Sequence, residues 1–173
     1  MRTINEVVSQ TLVWVQVGGL PQTFELRAAD DDVVARLQFE GRKVANAETA
    51  WQKWTFQHDG VFNQRLTVHS RESGETAVSK LAWRGGCTLE LSQGREVHFG
   101  PVNFWRTRWD WSATATEASF MQVRLSTRLM KIGGQVEIEM AALAYPELPL
   151  LVVLGWYLLA LGVRRSGAAV AVR

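Results

Sequence analysis

The chain carries one cysteine, Cys87, in 173 residues. No disulfide can close within it, and the composition fits a reducing compartment. It also lacks a dominant charge: 19 Lys and Arg stand against 17 Asp and Glu, leaving +2, too little for the electrostatic footprint of a nucleic-acid binder. Basic residues such as Arg65, Arg106, Arg108 and Arg124 are interleaved with acids along alternating segments, which reads as solvated strand faces. A secretory leader is not expected. Arg2 is followed by Glu6, and the apolar stretch Thr11 to Val17 is short, alternating and without a small-residue cleavage pattern. The expected location is therefore the cytoplasm, free or membrane-associated.

Catalytic and cofactor signatures are missing too. There is no phosphate loop and no dinucleotide fingerprint. His58, His69 and His98 fall on separate segments with no metal-ligand or nucleophile spacing. His58, beside Asp59 and Gly60, reads as turn polarity, and His69 and His98 as residues on outer strand faces. Cys87 precedes a strand as a small buried thiol. Asp30-Asp31-Asp32 lacks the ligand spacing of a calcium loop and is better explained as a hairpin turn. The expectation is a non-enzymatic protein with no catalytic residue, cofactor or metal site.

Long hydrophobic runs are scarce, and the single convincing one is Leu150 to Val163, LLVVLGWYLLALGV. A helix over 148–163 would be about 24 Å long at ~1.5 Å per residue, against the ~30 Å of a bilayer core. Pro149 suits its first turn, Glu147 its positive end, and Arg164 and Arg165 its negative end. A helix apolar on every side must be buried, in a membrane or inside its own protein.

The rest of the chain alternates with period two. Phe24, Leu26 and Ala28 alternate with polar residues before Asp30-Asp31-Asp32, and Ala35, Leu37 and Phe39 do so after it, predicting a hairpin. Further strands are predicted over 11–17, 50–57, 64–70, 76–83, 87–91, 96–99, 103–111, 120–125 and 135–140, separated by turns such as Gly85-Gly86, Gly100-Pro101 and Gly133-Gly134. About 11 to 12 strands, tilted ~40°, close into a barrel roughly 22 to 24 Å across. Side chains alone cannot fill that lumen, but an apolar helix about 10 to 12 Å in diameter can. The predicted fold is mainly β: a closed antiparallel barrel around a buried C-terminal helix. Trp54, Phe56, Trp105, Trp109 and Trp111 should face inward, against Leu151, Leu154, Trp156 and Leu158. Residues 1–165 would form one domain, with 166–173 a short flexible tail.

An all-β chain ending in Glu147-Leu148-Pro149-Leu150-Leu151-Val152-Val153-Leu154-Gly155-Trp156-Tyr157-Leu158-Leu159 resembles the tubby C-terminal-like superfamily. That group includes tubby proteins, LURP-one-related proteins and phospholipid scramblases. The resemblance spans about Leu12 to Val163, is one of architecture, and implies a twelve-stranded barrel threaded by its last helix. It carries over no basic phosphoinositide cluster and no acidic calcium segment residue by residue.

The segment Phe104-Trp105-Arg106-Thr107-Arg108-Trp109-Asp110-Trp111 alternates aromatic and charged residues. One reading is a strand with an aromatic core face and a polar outer face. The other places Arg106 and Arg108 on an exposed basic strand, with Phe104 as an apolar contact, meeting anionic lipid headgroups or a protein partner. The favoured function is a tubby-like module that binds a lipid surface or a protein. The alternatives are a tail-anchored membrane protein with a cytoplasmic β domain and its span at 148–163, and a lipocalin-type carrier. The carrier is disfavoured because the helix would occupy the lumen and no Gly-X-Trp signature is present.

Overall fold

A computed structural model describes residues 1–60, 64–81, 86–128 and 131–171. Twelve strands follow one another: β1 (Leu12–Gly18), β2 (Thr23–Arg27), β3 (Val33–Glu40), β4 (Val44–Thr49), β5 (Lys53–Asp59), β6 (Arg65–Ser70), β7 (Thr76–Lys80), β8 (Cys87–Glu90), β9 (Glu96–Pro101), β10 (Arg108–Ala113), β11 (Ser119–Arg128) and β12 (Lys131–Ile138). They pair antiparallel in the order β7-β6-β5-β4-β3-β2-β1-β12-β11-β10-β9-β8. Every strand lies beside its sequence neighbours, β1 closes onto β12, and β7 and β8 meet at the bridge Leu81–Cys87. The sheet is thus a nearly closed barrel. The predicted hairpin is present, with Leu26 opposite Ala35 and Asp31 at a positive φ in its turn.

The last element, α1 (Leu148–Ala171), runs through the lumen. It is long and apolar enough to cross a membrane, yet Leu148, Leu151 to Leu154 and Trp156 to Leu161 are all buried by the barrel. Inward residues of many strands meet it. Trp14 stacks on Trp156 at 5.5 Å, with Phe24 edge-on to Trp156 at 5.6 Å. Phe39 and Phe56 pack on Tyr157 at 5.6 and 5.1 Å. On the opposite wall the Trp111 indole donates to the Leu151 carbonyl at 2.9 Å. Gly155 makes this possible, because a Cβ there would lie 2.9 Å from the same indole nitrogen.

Several expectations need correction. The twelve strands fall within the expected 11 to 12, but Val44–Thr49, not among the predicted segments, is a strand of its own, whose inward residues are the small Ala45 and Ala47. The next strand then begins at Lys53 rather than Ala50. Gly133-Gly134 is no turn but the middle of β12. Gly134 faces the helix, where a Cβ would come within 2.7 Å of the Trp156 ring. Strand β10 begins only at Arg108, so Trp105 lies in the preceding turn and is 79% exposed instead of lining the lumen. The helix continues beyond Val163 to Ala171. The end of the predicted strand 76–83 and the first residue of the predicted Gly85-Gly86 turn lie outside the described residues.

The start of α1 is pinned by Glu147. Its carboxylate accepts from the Ser92 hydroxyl, the Ser92 amide at 3.1 Å and the Arg95 guanidinium at 3.4 Å. Burial opposes its ionisation, but these hydrogen bonds and the Arg95 charge outweigh it, holding the carboxyl below its ordinary value. A depressed native pKa contributes stability that is complete above the unfolded value, about 4.3, and is lost as pH falls through the lower native value. Glu147→Gln is expected to cost about 1 kcal/mol at pH 7, or roughly 2–4 °C. Its deficit should shrink below pH 4, as thermal melts across pH 3 to 7 would show.

Candidate functional site

Because the sheet is a meander, its turns alternate between the two ends of the barrel. The even-numbered turns, starting with β2–β3, share the end where α1 begins, as the Glu147–Ser92 contact at the β8–β9 turn shows. The odd-numbered turns share the end where α1 emerges. There Arg164 donates to the Gln22 side chain and the Gly41 carbonyl at 3.0 and 2.8 Å, and Arg165 donates to Gln64 at 2.7 Å.

Charge follows the same parity. The helix-start end carries Asp30, Asp31 and Asp32 in one turn, Glu72 and Glu75 in another, then Glu117 and Glu139. Of the cations at that end, Arg2 and Arg95 are held in ion pairs with Asp30 and Glu147, and Arg71 donates to the Asn46 side chain at 3.1 Å. The helix-exit end carries Arg42 and Lys43, Arg106, Lys131, Arg164 and Arg165, with Glu40 and Asp59 as its acids. The near-neutral chain is therefore a barrel with one acidic and one basic end.

At the basic end the β9–β10 turn stands out. Asn103 organises it: its side-chain carbonyl accepts from the amides of Thr107 and Arg108 at 3.0 and 3.1 Å, and its side-chain amide donates to the Thr107 hydroxyl at 2.8 Å. Arg106 takes a left-handed φ of 54°, and its carbonyl accepts from the Trp109 indole at 2.9 Å. A turn fixed at both feet holds its tip outward. Phe104 is 89% and Trp105 79% exposed, their rings edge to face at 5.3 Å. Leu20 in the β1–β2 turn, at the same end, is fully exposed.

The three predicted site residues are brought together, though not on one strand. Phe104 and Arg106 sit in the turn, and Arg108 opens β10 with its side chain half-buried. Arg108 lies directly opposite Arg124 of β11, both on the outer face. Like charges in register are unfavourable. Among the described residues, none of Arg106, Arg108, Arg124 and Lys131 is in an ion pair, and the Arg108 Nε is buried without a hydrogen-bond partner. Sequence reasoning missed Trp105, Leu20 and Lys131. The signal for the last was present, a sign change from one turn to the next, but it acquires meaning only once the turns are assigned to ends.

Other titratable groups fall elsewhere. His58 is not turn polarity: it points into the barrel, its Nδ1 3.3 Å from the Tyr157 hydroxyl, and burial lowers its pKa. His69 and His98 lie on outer faces, each against a threonine hydroxyl. Cys87 is buried beside Ser79, and burial pushes its thiol up. Among the described residues no group of three or more His, Cys, Asp or Glu is placed to hold a metal ion. No family model, curated protein or solved structure matches this chain.

Proposed function

We propose that the chain is a non-enzymatic, tubby-like barrel that docks by its helix-exit end on an anionic lipid surface. The observation that carries this is the β9–β10 turn, where Phe104 and Trp105 are held out at 89% and 79% exposure beside arginines without carboxylate partners. Monomeric proteins rarely expose adjacent large aromatics without a use for them. Trp and Phe favour the headgroup boundary, and each Lys or Arg near an anionic leaflet contributes ~1 kcal/mol. Stable surface attachment takes two signals, apolar and electrostatic, and this turn supplies both. The acidic opposite end would be repelled by the same surface, which fixes one orientation.

The test is vesicle co-sedimentation with phosphatidylserine-containing and purely zwitterionic membranes. Arg106→Glu together with Arg108→Glu is expected to weaken binding to the anionic vesicles at least tenfold, by about 1 kcal/mol or more per site. Wild-type binding should fall as salt shortens the Debye length. Unchanged binding by a folded double variant would remove the lipid-surface reading.

A further inference from the structure

The wall of the barrel is incomplete at one seam. Pairing between β1 and β12 stops at Trp14–Gly134, so Val15 to Gly18 and Lys131 to Gly133 face each other without a ladder. Gln16 occupies the gap: its side-chain oxygen accepts from the Ile132 amide at 3.3 Å, and its nitrogen donates to the Gly18 carbonyl at 3.3 Å. Along this seam runs a groove of about 800 Å³, within the range of small-molecule sites.

Its lining has a consistent chemistry. Val13 and Val15 form one wall, Arg124 and Ser126 the other, and Lys131 stands at the helix-exit side. The floor is Gly133, which faces outward opposite Ser126. Glycine weakens a strand interior. A Cβ on Gly134 would lie 2.6 Å from the Arg124 carbonyl oxygen and 2.7 Å from the Trp156 ring, and one on Gly133 would press on the Trp14 carbonyl oxygen at 3.0 Å. Close backbone approach therefore calls for glycine at both positions, and at Gly133 it also removes any side chain from the outer face. The residue leaves the groove open. No carboxylate lines it among the described residues, so Arg124 and Lys131 remain uncompensated. Two other openings differ on this point. Beside β3 and β4, Arg36 is already held by Glu25 and Glu48 at 2.9 and 3.2 Å. Beneath Leu20, Arg164 is taken up by Gln22 and the Gly41 carbonyl.

We propose that the β1–β12 groove binds one anionic single-chain lipid, its headgroup between Arg124 and Lys131 and its acyl chain along Val13 and Val15. Apolar wall, neutral amides and two free cations together complement an amphiphile with a negative head, and neither a neutral detergent nor a bare anion satisfies both halves. This site is in the barrel wall and does not require the docking turn.

Calorimetry on the full chain with dodecyl phosphate, dodecyl maltoside and inorganic phosphate, below micellar concentrations, tests it, with amide shifts at Val15 and Gly133 locating the ligand. One molecule of dodecyl phosphate should bind, with the other two at least tenfold weaker. Arg124→Gln with Lys131→Gln should lower that affinity at least tenfold. So should Ser126→Trp, an exposed position whose indole would cover Gly133. Equal binding of the maltoside or of inorganic phosphate, or unchanged affinity in folded Ser126→Trp, overturns the proposal. The variant Phe104→Ser with Trp105→Ser keeps the two readings apart, since it should lose vesicles and retain dodecyl phosphate.

Discussion

Replacing Trp156 with alanine is expected to destabilise the barrel by about 3–5 kcal/mol, a large part of a total of roughly 5–15 kcal/mol. The indole is fully buried, stacks on Trp14 at 5.5 Å, meets Phe24 edge-on at 5.6 Å and fills the space left by Gly134. Those neighbours belong to β1, β2 and β12, so one side chain ties the barrel's closure to its central helix. The cavity cannot collapse easily, because its lining is set by strand backbones on one side and the helix on the other. The Trp156 nitrogen has no hydrogen-bond partner, so the loss is one of packing. Trp156→Phe, which keeps an aromatic face against Trp14, should cost markedly less. Trp51→Ala, at 79% exposure, should stay within about 0.5 kcal/mol. Denaturant unfolding of the three variants checks the ranking, and equal losses at positions 51 and 156 would contradict a helix packed inside the barrel.

The central helix was legible because fourteen consecutive residues without a charge leave few places for it. Its place in the lumen was not, since the full 24-residue helix is long and apolar enough to cross a membrane and its burial follows from the inward faces of the strands. The hairpin at Asp30-Asp31-Asp32 was legible from alternation on both sides of an obvious turn. β4 was not, since Ala45 and Ala47 are too small to raise an apolar signal against Asn46 and Glu48, although both alanines are buried. Gly133-Gly134 misled for a related reason. Glycine in a sequence reads as a turn, whereas here Gly134 answers to the Arg124 carbonyl and the Trp156 ring and Gly133 to the Trp14 carbonyl, groups distant in the chain or across the sheet. Trp105 misled because it shares the odd-numbered parity of the inward Trp109 and Trp111, while the Asn103 hydrogen bonds convert the first part of that stretch into a turn. The separation of charge was hidden by the meander itself. The acidic turns β2–β3, β6–β7 and β10–β11 are separated along the chain by basic or uncharged stretches that average with them to near neutrality, and the charges sort into opposite ends only when successive turns are placed at opposite ends.

That sorting gives the last expectation its force: Phe104→Ser with Trp105→Ser should abolish most binding to anionic vesicles while leaving the melting temperature nearly unchanged. Fully burying a large apolar side chain is worth ~1.5–3 kcal/mol, so losing two from the headgroup boundary amounts to about 100-fold or more in affinity. Neither ring supports the core: both belong to the turn rather than to β10, and they are 89% and 79% exposed. The hydrogen bonds that fix the turn come from Asn103, Thr107 and the Arg106 carbonyl, all kept in the variant. The outcome is the reverse of Trp156→Ala, which destabilises the fold. Wild-type tryptophan emission should shift to the blue on vesicle addition, and the shift should shrink in the double variant because, among the described residues, Trp105 is the exposed indole at this end. Retained binding and a retained shift would move the contact elsewhere on the barrel. Retained binding to zwitterionic vesicles alone would show that apolar insertion proceeds without the arginines. A full loss with an unchanged melt assigns the docking face to the turn that Asn103 holds open.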